Sequence, residues 1–507
     1  MLRKIRITLA ALCFTAITLL FLDFTGTLHL WFGWLAKIQF LPAVLAVNLV
    51  VVIALALLTL LFGRIYCSIL CPLGVFQDIV SWLSARRKGK KARFHYTKEI
   101  KWLRYGLLAV FIVLLVAGLN SLAALLAPYS SYGRIAQNLF APLYQWGNNV
   151  LAYFSERADS YAFVTKDVWL KSLPTFGIAV VTFVVVVALA WRSGRTYCNT
   201  VCPVGTVLGF LSRFAAFRPT IDASKCSTCR ACEKNCKASC IEVGKDGKRI
   251  DYSRCVNCFN CLDSCKFGAL KYRFAWGKSG RKTSAAQERD PSDIGRRAFL
   301  TGTAIALTGT LLHAQENPED DGKKRDGGLA DILPKQAPAR SVPVTPFGSE
   351  SIKKFFQRCT ACQLCVSVCP NHVLRPSASL EHLMQPVMSF ERGYCRPECV
   401  KCSEVCPTGA ILKITPEEKT QWKVGVASVD YDLCIVNRDG VKCGNCARHC
   451  PVGAIRMVRK DPDSQNRLMI PTVNEERCIG CGACENLCPT RPISAITING
   501  YEVHHTT

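Results

Sequence analysis

Only eight histidines occur in 507 residues; none are paired within an apolar run, and no Cys-x2-Cys-His segment is present. Covalently attached haem, or haem held between two histidines inside a membrane, is therefore not expected. No flavin or nicotinamide fingerprint appears, and no nucleophile triad can be argued, so no substrate-converting active site is expected either. Acid is also scarce, with 37 Asp and Glu against 63 Lys and Arg and a formal charge of +26. That excess does not point to nucleic acid, because the chain lacks a helix-turn-helix, a zinc finger and an aromatic-basic stripe. The count treats every Cys as neutral, whereas a four-Cys [4Fe–4S] site carries about two negative charges. Bound clusters would offset much of the basic excess, and the remainder lies in loops beside apolar segments, which suits a membrane surface.

What the chain has in quantity is apolar sequence and cysteine: 50% of residues are hydrophobic and 30 are Cys. Four apolar runs occupy residues 5–22, 40–62, 102–126 and 174–191. Each is close to the roughly 20 residues that cross a bilayer core. The first follows a basic start and could be a signal peptide, but no small-residue cleavage site follows it, so a retained helix is expected. Arg86, Arg87, Lys88, Lys90, Lys91 and Arg93 follow the second run, whereas Lys37 alone precedes it. By the positive-inside rule the basic loop faces the cytoplasm. Four crossings then return the chain there, and residues 222–274 face the cytoplasm too.

An internal repeat lies on this frame. Gly63-Arg64-Ile65-Tyr66-Cys67-x3-Cys71-Pro72-Leu73-Gly74 recurs as Gly194-Arg195-Thr196-Tyr197-Cys198-x3-Cys202-Pro203-Val204-Gly205. If the copies meet at a pseudo-two-fold axis, Cys67, Cys71, Cys198 and Cys202 are candidate metal ligands or redox-active thiols. The plainer reading is that small Cys side chains pack a tight turn.

Cysteine spacing carries the strongest signal. Cys359-x2-Cys362-x2-Cys365-x3-Cys369-Pro370 and Cys478-x2-Cys481-x2-Cys484-x3-Cys488-Pro489 match the bacterial ferredoxin run, in which the fourth Cys serves the partner cluster. Looser versions are Cys395-x3-Cys399-x2-Cys402-x3-Cys406 and Cys434-x8-Cys443-x2-Cys446-x3-Cys450. Nearer the N-terminus, Cys226, Cys229, Cys232 and Cys236 pair with Cys255, Cys258, Cys261 and Cys265 as a two-cluster ferredoxin. There Lys237 and Lys266 replace the usual Pro, and nearby Cys240 makes the first run's fourth ligand ambiguous. Three Cys at intervals of three wrap one cubane, and the fourth is expected at the start of a short helix. Zinc favours separated Cys pairs, and disulfides do not favour six repeats of one run. Six [4Fe–4S] clusters are therefore expected, leaving Cys13 as packing. Gly268-Ala269-Leu270, Gly409-Ala410-Ile411 and Gly453-Ala454-Ile455 are expected to lead into short strands.

These features predict a multi-domain chain: an α-helical transmembrane bundle over 1–215, and α+β ferredoxin-like domains over 216–275 (two clusters) and 351–507 (four clusters). The linker 276–350 holds Gly295-Arg296-Arg297-Ala298-Phe299-Leu300 and a short apolar stretch, the pattern of an internal twin-arginine signal with a cleavage position after Ala314. The alternative is a charged linker abutting a short buried helix. Residues 315–350 are expected to be disordered.

At these motifs the chain resembles two electron-transfer proteins joined end to end. Residues 1–275 look like a NapH-type membrane ferredoxin of periplasmic nitrate reduction, and residues 290–507 like its NapG or MauM-type partner. The resemblance implies a quinol dehydrogenase component in a bacterial inner membrane. It would take electrons from membrane quinol and pass them to a periplasmic acceptor, a cytochrome or reductase, with the C-terminal domain in the periplasm. It also implies that the first and fourth runs of the last domain pair, as do the second and third. Two other readings compete: a redox maturation factor for a metalloenzyme, and a redox sensor.

Overall fold

The structure is a computed structural model that describes residues 1–23, 26–88, 94–160, 162–244, 247–276, 333–460 and 468–506. Met1–Ala275 and Lys335–Thr507 form one compact unit; Trp276–Pro334 is a second, of which only the ends are described. The twin-arginine segment 295–300 and Ala314 lie outside the described residues.

The first and fourth apolar runs form unbroken helices, Leu2–Leu22 and Leu173–Ser193. These two are long and apolar enough to cross a membrane. The other two runs are each split. Val47 takes a φ of 55°, and the Asn48 side chain accepts from Val51 N–H at 3.2 Å, so a new helix starts at Leu49. The pieces are Phe40–Leu45 and Leu49–Phe62. Gly118, with φ of 77°, separates Lys101–Val116 from Asn120–Leu126. Between the third and fourth runs lies a helical stretch that hydropathy does not mark. Pro128–Ile135 continues through one π-helical segment, Ala136–Phe140, into Ala141–Arg157.

Both copies of the repeat fold alike. Gly63 and Gly194, each with φ of 70°, end the preceding helix in a conformation that L side chains resist. A one-turn helix follows, Tyr66–Ile69 or Thr196–Thr200. The proline after the second Cys then opens Pro72–Lys88 or Pro203–Ser212, where its missing N–H costs no bond.

The ferredoxin parts are built on one plan. A β-hairpin links the two runs of each pair: Ile241–Gly244 with Gly247–Ile250, Leu374–Pro376 with Pro386–Met388, and Ile455–Arg459 with Met469–Val473. Strands flanking two of the pairs close antiparallel, Phe217–Ile221 on Leu270–Phe274 and Trp422–Val429 on Ile496–Thr506. Gly268 and Gly453 lead into strands as expected. Gly409-Ala410-Ile411 does not; instead Leu412 N–H donates to Gly348 O at 2.9 Å. That bond belongs to a segment expected to be disordered. From Lys335 the chain is packed, with Val344 and Phe347 buried and Arg340 Nε–H donating to Ile498 O at 2.8 Å. The C-terminal part therefore begins about 15 residues before Ser351. The Pro- and charge-rich composition of this segment hides its few apolar anchors, Val344 and Phe347.

Candidate iron–sulfur centres

Each of the six runs places its third Cys inside a one-turn helix: Ala231–Lys234, Asn260–Ser264, Leu364–Ser367, Lys401–Val405, Asn445–Arg448 and Ala483–Leu487. The fourth Cys comes after that helix, not at its start as expected; Cys265, Cys406 and Cys488 each cap its C-terminal end. The fourth thiol is thereby turned away from its own loop. The hairpin folds the next run against it.

Four quartets line cavities. Cys226, Cys229 and Cys232 share one with Cys265, and Cys255, Cys258 and Cys261 share another with both Cys236 and Cys240. Cys434, Cys443 and Cys446 meet Cys488, and Cys478, Cys481 and Cys484 meet Cys450. For the remaining two, Cys359, Cys362 and Cys365 lie within electrostatic reach of Cys406, and Cys395 and Cys402 within reach of Cys369. Cys399 completes the last set by its place between Cys395 and Cys402 in the same run. The pairing is thus first with second and third with fourth. The implied pairing of first with fourth is overturned because each hairpin joins consecutive runs.

Whether these quartets fit a cubane can be judged from backbone and charge. In four runs the residue before the second Cys and the residue after it both have positive φ: Thr228 and Arg230, Asn257 and Phe259, Ala361 and Gln363, Gly480 and Gly482. Left-handed backbone at non-glycine residues costs of order 1 kcal/mol or more, and persists where it turns successive N–H groups toward an anion. Burial pushes the Cys362 thiol up to about 11 and that of Cys481 to about 12. Such thiols hold a thiolate charge near neutrality only when a cation is bound. Among the described residues no group of three or more His, Cys, Asp and Glu closes on a single metal ion. Cavities lined by four thiols and strained, anion-facing loops fit a cluster instead. When bound, such a cluster supplies one-electron exchange.

Several residues that spacing could not reveal complete the picture. Buried Lys419 places Nζ 3.1 Å from Cys395 Sγ, while also donating to Cys399 O at 2.6 Å. Lys171 Nζ donates to Val366 O at 3.5 Å and lies in reach of Cys365 and Cys369. Asp78 is a buried hub that pairs with Arg195 at 2.8 Å, Lys237 at 3.6 Å and Arg6. The helix Leu2–Leu22, roughly 30 Å long at 1.5 Å per residue, touches ferredoxin elements at both ends. Arg3 pairs with Asp263 at 3.1 Å, and Phe21 packs beside Gly133, whose Cα faces the Cys362 carbonyl.

The four repeat cysteines converge. Cys67, Cys71, Cys198 and Cys202 are each 3–4% exposed and lie within electrostatic reach of one another. The repeats lock reciprocally: Arg64 Nη2 donates to Cys198 O at 3.0 Å, and Arg195 Nη1 donates to Cys67 O at 2.6 Å.

Domain models of the iron–sulfur class match the chain. A 4Fe-4S binding domain matches residues 44–91 and again 174–221, one copy over each half of the repeat. Two 4Fe-4S dicluster domain models match residues 251–373 and 441–491. These features define a ferredoxin-type iron–sulfur protein that transfers electrons. Methylamine utilization ferredoxin-type protein MauM of Methylobacillus flagellatus is 33% identical over 166 residues, 32% of this chain and 70% of MauM. The chain belongs to the ferredoxin-type family that MauM represents. MauN of the same organism is 25% identical over 175 residues, 34% of this chain and 48% of MauN. A candidate electron transport protein of Escherichia coli, YccM, is 24% identical over 199 residues, 39% of this chain and 47% of YccM. The chain spans about half the length of YccM and of MauN.

Proposed function

We propose that the chain is a multi-pass protein of a bacterial inner membrane that carries six [4Fe–4S] clusters in its ferredoxin quartets. It takes electrons from the quinol pool and passes them to a soluble periplasmic acceptor, a cytochrome or a reductase such as nitrate reductase. The ligands are Cys226, Cys229, Cys232 and Cys265; Cys255, Cys258, Cys261 and Cys236; Cys359, Cys362, Cys365 and Cys406; Cys395, Cys399, Cys402 and Cys369; Cys434, Cys443, Cys446 and Cys488; and Cys478, Cys481, Cys484 and Cys450.

One observation carries the membrane reading: an apolar helix of bilayer length has a ferredoxin element at each end. A belt of exposed apolar side chains supports it, including Trp31, Val50, Ile53, Trp102, Val116 and Val181. In this orientation Cys226–Cys265 faces the cytoplasm beside the basic loop, and the C-terminal quartets face the periplasm.

Membranes holding the protein should show cluster reduction within the mixing time of a stopped-flow experiment with a menaquinol analogue, followed by reoxidation by a periplasmic extract. Slow, stoichiometric reduction without turnover would favour the maturation-factor reading instead.

A further inference from the structure

Five buried thiols lie outside the ferredoxin quartets: Cys240, whose Sγ is 3.5 Å from that of Cys236, and four in the helical part. We propose that Cys67, Cys71, Cys198 and Cys202 together ligate a seventh [4Fe–4S] cluster, shared between the two copies of the repeat inside the helical part.

Neither copy can hold a four-thiolate cluster alone, since each brings two cysteines. The fold makes them one site. Gly74 leaves room for the Arg195 guanidinium and Gly205 for that of Arg64: a Cβ there would stand 2.9 and 2.7 Å from them. Each arginine crosses to the other copy's Cys carbonyl, so the four thiols are set by mutual contacts. The domain model over both copies names a cluster type but no ligands, and no sharing between copies.

Charge argues for an anionic occupant. Arg64 is fully buried, and its hydrogen bonds run to Asn199 Oδ1 at 2.8 Å and to the carbonyls of Ser253 and Cys198 at 3.1 and 3.0 Å, all neutral. Its closest sulfur is Cys67 Sγ at 3.9 Å. A buried guanidinium without a counter-ion costs several kcal/mol, and a four-thiolate cluster supplies about two negative charges. Buried Arg64 Nε, Arg195 Nη2 and Gln77 Oε1 have no protein partner. Gln77 Nε2 donates to Cys198 Sγ at 3.2 Å and Gly205 N–H to Cys202 Sγ at 3.3 Å, the N–H···S bonds that tune ligated sulfur. No disulfide joins the four, and they do not close on a single ion.

The position suits a relay. Asn199 Nδ2 donates to Ala238 O, in the wall of the cavity lined by Cys255, Cys258 and Cys261. On the other side Tyr66 lies in reach of Cys67, Cys71 and Cys202. It also neighbours Tyr129, which is in reach of Cys362 and Cys406. The shared centre would accept one electron from one ferredoxin part and release one to the other.

The test uses the full-length protein purified anaerobically, with iron and acid-labile sulfide measured per chain. The expected content is about 28 iron atoms, against about 24 if the ferredoxin quartets alone are filled. Cys67→Ser combined with Cys202→Ser should remove about four iron atoms and one Mössbauer component, leaving the ferredoxin EPR signals intact. Arg64→Gln should lower the midpoint potential of that centre alone. A content of about 24 in the unmodified protein overturns the proposal, as does a double variant with unchanged iron and spectra, or a Cys67–Cys198 disulfide found by mass spectrometry. Quinol enters none of these measurements, so the donor reading can fail separately.

Discussion

The Arg195 guanidinium donates to the carbonyl oxygen of Cys67 at 2.6 Å and thereby ties the second copy of the repeat to the first. This contact passes directly over Gly74, where a Cβ would stand 2.3 Å from that same oxygen. Gly74→Ala should therefore destabilise the helical part by about 1–3 kcal/mol. Gly205→Ala should do the same, because its Cβ would stand 2.3 Å from the Cys198 oxygen. Thermal unfolding in detergent checks this, with Gly106→Ala, which meets open space, as the neutral control.

Pairing of consecutive runs gives Cys369 to the set of Cys395, Cys399 and Cys402. Cys369→Ser should weaken or remove that cluster and spare the one held by Cys359, Cys362, Cys365 and Cys406. Spectra of the single variant, compared with those of Cys406→Ser, should lose different components. Loss of the same component from both would refute the pairing.

Lys419 holds a positive charge 3.1 Å from Cys395 Sγ in a buried setting. Positive charge favours the reduced cluster, so Lys419→Gln should lower one midpoint potential by on the order of 60 mV, which is about 1.4 kcal/mol for one electron. An EPR-monitored redox titration reads the shift. The other midpoints should stay within error.

His504 is a buried residue of the strand Ile496–Thr506, and the Trp422 indole N–H donates to its Nδ1 at 3.3 Å. Burial holds its pKa down at about 4, below the ordinary imidazole value of 6.5. The unfolded chain therefore binds the proton first, and this contribution is present above pH 6.5 and lost as pH falls toward 4. Over that range it amounts to about 3 kcal/mol. Between pH 6.5 and 5 the melting temperature should fall, and His504→Gln should flatten the slope. An unchanged slope would remove His504 from the account.

Much of the grouping was legible in the cysteine spacing, because a loop wrapping a cubane needs thiols at fixed intervals, although Cys236 and Cys240 both line the cavity of Cys255, Cys258 and Cys261. The partner of each fourth thiol was not legible. That depends on hairpins such as Leu374–Pro376 with Pro386–Met388, whose strands are three residues long and carry little pattern. Hydropathy likewise marked four apolar runs but not their interruptions, since Val47 and Gly118 are set by local backbone and by neighbours such as Gln357. Arg64, Arg195 and Gly74 were visible as a repeat. Their purpose emerged only when the copies were seen to face each other.

The most direct test of the electron-transfer account is EPR on anaerobic membranes, recorded before and after adding a menaquinol analogue and then dithionite. The account predicts that [4Fe–4S] signals appear with the quinol and are lost on adding the periplasmic acceptor. Clusters that respond to dithionite but never to quinol would contradict it.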